Sequence, residues 1–126
     1  MVELKKNIVL VGGGGHCISV IDIIENGKEF NISGILDSNS KENNLLGYKI
    51  LGGDNLIHEL VSENTYFLIT VGQIKNYSVR KNIAKTLTEN NAKLATVISS
   101  LAYVSKHAYI EQGTVIMNHA VVNAKS

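Results

Sequence analysis

The amino-acid sequence predicts an α/β fold: a small parallel sheet with helices on its faces, leading into the first coil of a β-helix. Three observations predict it. Short aliphatic runs alternate with amphipathic stretches of helical spacing through residues 7–98. Four consecutive glycines, Gly12 to Gly15, separate the first aliphatic run from the first helix-like stretch. Val104, Ile110, Ile116 and Val122 then recur every six residues. Neither a helix (period 3.6) nor a free-standing strand (period 2) generates that interval.

The run Asn7 to Val11 (NIVLV) reads as a buried strand that ends in a tight glycine turn. His16 to Glu25 carries Ile18, Ile21 and Ile24 at helical spacing. Ile32 to Leu36 is the second strand and Asp37 follows it directly; the polar residues up to Asn44 read as loop. Gly52-Gly53-Asp54 is expected to lead into an N-capped helix with Leu56, Ile57, Leu60 and Val61 on its apolar face. Tyr66 to Val71 is the third strand, ending at Gly72. Ile74 to Asn90 is a longer helix with Val79, Ile83 and Leu87 inward, and Leu94 to Ile98 is the fourth strand. Strands alternating with helices imply a mainly parallel, Rossmann-like sheet. The pattern changes near Ser99 and Ser100, which places one unit at residues 1–99 and the other at 100–126.

Read in frame, the second unit is VSKHAY, IEQGTV, IMNHAV, VNAKS, with Ala108, Thr114 and Ala120 each four places after an aliphatic residue. In a hexapeptide-repeat β-helix each hexad forms one side of a triangular coil, its aliphatic residue pointing inward. Two ordinary hairpins with apolar positions six apart are the alternative.

The totals narrow the function. A formal charge of +1 on 126 residues lacks the basic excess of a nucleic-acid protein. No apolar run approaches the roughly 20 residues that cross a bilayer, so no membrane is expected as a partner. MVELKK does not look like a secretory leader, and Cys17, the one cysteine, forms no internal disulfide, so a cytoplasmic location is expected. That thiol sits at a helix start, which can lower its pKa, although a buried structural role fits better.

Glycines between a strand and a helix let backbone approach a ligand, and the amides of the helix start attract phosphate. The dinucleotide pattern G-x-G-x-x-G is half met: Gly12 and Gly14 fit, whereas Cys17 takes the last place. Asp37 stands where such proteins hold a ribose. Ligands of open α/β sheets bind beyond the carboxyl ends of the strands. The candidate site is therefore Gly12, Gly13, Gly14, Gly15, His16, Asp37, Ser38, Gly72 and Gln73. Asp37 can hold a ribose hydroxyl or base N–H, Gln73 a base or sugar, and His16 a phosphate or sugar hydroxyl, unless it merely packs under the loop.

The loop GGGGH, LDS after the second strand, GYKILGG, TVGQ with Arg80 beyond it, and GTVIMNHAVVNAKS together resemble one family. It is that of the bacterial nucleotide-sugar acetyltransferases of the left-handed β-helix class, which act on amino-sugars carried by UDP or dTDP or on sialic acid. The resemblance implies that the α/β unit holds a UDP- or dTDP-sugar. It also implies that the β-helices form a homo-oligomer, a trimer, with acetyl-CoA as co-substrate in the groove between them. A histidine beside a glutamate then acts as general base in direct acyl transfer, with no covalent intermediate and no metal. That pair normally follows the NAxS-like segment. His107 and His119 come too early and Glu111 is the only acid in the repeats, so no catalytic residue is assigned and the pair is expected beyond residue 126. The reading is of an amino-terminal part that binds but does not turn over. Two alternatives stay open: an NAD-binding redox or sensory domain, and a non-catalytic nucleotide-sugar-binding module.

Overall fold

A computed structural model describes residues 5–72 and 77–125. The buried aliphatic runs become strands β1 (Lys6–Val11), β2 (Phe30–Leu36) and β5 (Thr65–Ile69). Helix α1 is Gly15–Asn26 and helix α3 is Tyr77–Glu89. Between β2 and β5 lie the short strands β3 (Asn44–Leu45) and β4 (Tyr48–Gly52), a 3₁₀ turn at Asp54–Leu56, and the one-turn helix α2, Ile57–Leu60. With β6 (Lys93–Leu94) these make a six-stranded sheet of order β3-β4-β2-β1-β5-β6, parallel except for the β3–β4 pair.

Alternation along β1 sets the two cores. Ile8 and Leu10 pack on one face with Cys17, Val20, Ile21 and Ile24 of α1. Val9 and Val11 pack on the other with Ile57, Ile83 and Leu87. Successive side chains of a strand face opposite ways, so a strand covered on both sides has to be apolar throughout. No helix among the described residues is long and apolar enough to cross a membrane.

Four expectations change. The polar loop after β2 gives way at Asn44 to the β3–β4 hairpin. Asp54 does not cap a helix: Gly53 occupies the N-cap position, and the Asp54 carboxylate takes the Ser38 hydroxyl instead. Val79 is 44% exposed, unlike Ile83 and Leu87 one and two turns on. The fourth strand splits. Lys93–Leu94 stays in the sheet, while Val97–Ile98 (β7) leaves it to pair with β9 (Val115–Ile116). The start expected for the long helix at Ile74 lies outside the described residues.

Beyond Ile98 the chain makes two further strands, β8 (Tyr103–Val104) and β10 (Val121–Val122), which pair with each other in parallel. In both small ladders the partners are 18 residues apart, Val97 with Val115 and Tyr103 with Val121. Ile116 is buried, and Val104, Ile110 and Val122 are half-buried, whereas their neighbours Tyr103, Tyr109 and Val121 are exposed. Ser99 and Ser105 are both buried, and each hydroxyl accepts the amide two residues on, Leu101 and His107.

Candidate functional site

The carboxyl ends of β1, β2 and β5 meet at one edge of the sheet, and the glycine loop fills the space between them. Gly12 has φ +121°, a conformation that only glycine adopts at low cost. Its amide donates to the Leu36 carbonyl (2.7 Å), and its own carbonyl accepts the buried Thr70 hydroxyl (2.6 Å). A Cβ on Gly12 would stand 2.5 Å from Val71 Cγ2, so close strand-to-strand contact also requires glycine there. Asp37 ties down the next residue. Its Oδ2 accepts the Gly13 amide (3.1 Å) and its Oδ1 the Asn39 amide (3.0 Å).

Gly14 and Gly15 are different. A Cβ on either would meet nothing within 4 Å, so this part of the backbone faces open space. Gly14 is the N-cap of α1, no side chain caps the helix, and its first turn holds no acidic residue. The first amides of a helix lack intrahelical partners and carry the positive end of its dipole. An anion is the matching ligand.

A cavity of about 400 Å³ opens in front of this helix start. Gly12 to His16, Asp37 and Gly72 line it, together with Asn39, Thr70 and Val79. Ser38 lies to the side. It lines a cleft of about 70 Å³ with Asp54, to which its hydroxyl donates at 2.9 Å. A second cavity, about 530 Å³, adjoins the first, sharing His16 and Gly72 as wall residues. Of the residues expected at the site, Gly12 to His16, Asp37 and Gly72 come together, Ser38 is peripheral, and Gln73 lies outside the described residues.

Sequence reasoning missed Thr70, Asn39 and Val79 at this cavity. Thr70 had a usable signal: it is the polar residue at the end of an otherwise apolar strand, one place before Val71-Gly72. Asn39 sat unmarked among polar loop residues. Val79 fits an inward helical stripe equally well, so spacing alone misplaces it.

Cys17 sits directly beneath the loop and is fully buried. Desolvation by burial pushes its thiol up to about 11; hydrogen bonding to Thr70 opposes the rise and the charge of Asp37 adds to it. Burial thus overrides the helix start, and Cys17 is a packing residue.

The chain is similar in sequence and fold to several known proteins. The family model described as PglD N-terminal domain matches residues 7–87. The UDP-N-acetylbacillosamine N-acetyltransferase of Bacillus subtilis (strain 168) is 34% identical over 114 residues, 89% of this chain and 51% of that protein. Among solved structures, the acetyltransferase domain of PglB from Neisseria gonorrhoeae FA1090, in complex with acetyl coenzyme A, superposes with a TM-score of 0.84. It is 28% identical, and the match covers 96% of this chain and 57% of that one. PerB from Caulobacter crescentus, in complex with CoA and GDP-perosamine, gives a TM-score of 0.80 at 23% identity, a likeness of fold; 94% and 54% of the chains are covered. The chain therefore spans about half the length of these relatives. With the family model covering residues 7–87, the chain belongs to the PglD N-terminal domain family.

Proposed function

We propose that this chain holds the nucleotide of a nucleotide-sugar for an acetyl-CoA-dependent amino-sugar acetyltransferase. The observation that carries the reading is the cavity where the uncapped start of α1 and the Asp37 carboxylate face the same space. The open backbone at Gly14 and Gly15 receives phosphate. Asp37 uses two lone-pair directions to hold Gly13 and Asn39, and a carboxylate has about four, so it can still accept a ribose hydroxyl or base N–H. His16 and Gly72 complete the wall in this reading. Ser38 acts through Asp54, by fixing the turn behind Asp37.

The tail is proposed to be the start of a left-handed β-helix. Supporting this are the 18-residue register shared by both small ladders and the inward Ile116. Three hexads make 18 residues, one coil. The two units then meet between Ala95 and Ser99, close to the expected boundary. Exposed Tyr103, Tyr109 and Val121 give this tail an apolar outer surface on which copies of the chain associate, as a trimer in the proposed assembly.

Acetyl-CoA needs a long groove for its pantetheine arm and a seat for its phosphates. The described coil residues present short ladders with exposed side chains, and both cavities at the strand ends are walled mainly by the glycine-loop unit. The residues present do not make an acetyl-CoA site by themselves. His107 and His119 are exposed, and neither bonds a carboxylate among the described residues. The expected function of this chain is accordingly binding without turnover.

Isothermal titration with UDP-N-acetylglucosamine, a dTDP-sugar, a GDP-sugar and NAD tests the reading. A nucleotide-sugar should bind with micromolar affinity and NAD at least about tenfold more weakly, a gap of 1.4 kcal/mol. NAD binding more tightly than every nucleotide-sugar would replace the assignment with that of a dinucleotide domain.

A further inference from the structure

The second cavity lies between the two ends of the chain's fold: Arg80 of α3 on one side, the turn Gly113-Thr114-Val115 on the other, and His16 and Gly72 at the junction with the first. Among the described residues, Arg80 is the only lysine or arginine lining either cavity, and Asp37 is the only carboxylate. The two charges thus line adjoining cavities, with His16 at the start of α1 common to both.

Arg80 is half-buried and held in place. Its Nη1 donates to the Val71 carbonyl at 3.3 Å, which leaves four of the five guanidinium N–H groups for other acceptors. The opposite wall is anchored as well. Gly113, at φ +83°, has its Cα against Leu94 of β6, where a Cβ would stand 3.4 Å from Leu94 Cδ1. Val115 lies in the ladder with Val97.

We propose that Arg80 binds the distal phosphate of the nucleoside diphosphate. The ligand then lies with its nucleoside toward Asp37, its proximal phosphate at the start of α1, and its sugar under the 113–115 turn. This rests on the nucleotide-sugar reading above and adds a direction and a specificity to it. A nucleoside monophosphate ends at the helix start and does not reach Arg80. A diphosphate gains a charge-assisted contact with a planar, permanently charged donor, the side chain best suited to phosphate geometry. The site therefore selects diphosphate-linked sugars over monophosphate-linked ones.

The test is calorimetric titration of UMP against UDP, and of GMP against GDP, into the wild-type chain and into Arg80→Gln and Arg80→Ala. Arg80→Gln keeps an amide donor for the Val71 carbonyl and removes the charge. In the wild type the diphosphate should bind at least about tenfold more tightly than the monophosphate, as one hydrogen bond to a charged group supplies. In both variants that preference should fall to about threefold or less, while monophosphate affinity stays within about twofold of wild type. Raising the salt concentration should shrink the wild-type preference in the same direction, a check that needs no variant. Equal loss of monophosphate and diphosphate binding would show Arg80 to be merely structural, and an unchanged preference would show it to be uninvolved. Either result overturns the proposal while leaving the nucleotide reading intact. A wild-type chain that bound none of the four nucleotides would overturn both.

Discussion

The Asp37 carboxylate accepts the Gly13 amide at 3.1 Å, so the end of β2 holds the glycine loop of β1 in the conformation that opens the cavity. The same carboxylate accepts the Asn39 amide, which folds the chain back on itself after the strand. Sequence reasoning places Asp37 against a ligand. The structure adds that the residue shapes the loop with or without one.

Asp37→Ala should therefore lower stability as well as binding. It removes two hydrogen bonds to a charged acceptor and strands the half-buried Gly13 amide, a loss of about 1–3 kcal/mol. Asp37→Asn keeps an oxygen for one of the two amides and should lose roughly half as much. Urea unfolding followed by circular dichroism measures both. An Asp37→Ala chain as stable as wild type would show that the loop holds its shape unaided.

The four glycines divide into two functions, and alanine substitution separates them. Gly12→Ala pushes a Cβ to 2.5 Å from Val71 at a positive φ, so it should destabilise by about 2 kcal/mol or more, or prevent folding. Gly15→Ala places its methyl in open space at the first position of α1, where alanine is a better helix former, by at most about 1 kcal/mol. Its thermal midpoint should hold or rise while affinity for UDP falls, since the methyl stands where backbone should meet phosphate. Unchanged affinity in Gly15→Ala would move the phosphate away from the helix start.

Cys17 couples stability to pH. Its thiol keeps its proton in the folded protein up to about pH 11, against 9.0 for the ordinary group. Below pH 9 both folded and unfolded chains carry the proton and the thiol adds no pH dependence. Between pH 9 and 11 only the unfolded chain releases it, so stability falls as pH rises, by on the order of 3 kcal/mol in full. Cys17→Ala removes that dependence. Melting curves at pH 8 and pH 10.5 should show a steeper loss in wild type than in the variant, and parallel losses would assign the change to other groups. Ellman's reagent should likewise leave the native thiol unmodified at pH 8 until urea unfolds the chain.

The central strands are legible in the sequence because a strand buried on both faces must be apolar without interruption, as Ile8 to Val11 and Phe67 to Leu68 are. The β3–β4 hairpin is not legible. It lies at the sheet edge, where Leu45, Tyr48 and Ile50 are only half-buried. Its two-residue turn also uses Leu46 at φ +50° before Gly47 at φ +88°, where asparagine or glycine is the usual signal. The split of the fourth strand escapes for another reason. The run LATVI stays apolar while its partner changes from β5 to β9, and apolar character does not say which strand is alongside. At the site, the glycines and Asp37 are legible because their backbone roles restrict residue type. The 113–115 turn is brought to His16 only by the docking of the tail on the sheet, which no local pattern encodes, whereas α3 sets Arg80 beside the strand ends, where it bonds the Val71 carbonyl.

Whether the tail is one coil or a set of separate ladders can be decided by hydrogen exchange. The Val97 and Ser99 amides donate to Thr114 and Ile116, and the Tyr103 and Ser105 amides donate to Ala120 and Val122. In a closed coil these two ladders are adjacent sides around a shared interior, to which buried Ile116 contributes. Ile116→Ala should then cost about 2 kcal/mol locally and speed exchange at all four amides together. The Gly12 and Thr70 amides, bonded within the main sheet, should keep their protection. Independent parallel ladders predict a different pattern: faster exchange at Val97 and Ser99, which pair with the mutated strand, and none at Tyr103 and Ser105. That second pattern would end the β-helix reading and, with it, the proposed place of this chain in an acetyltransferase.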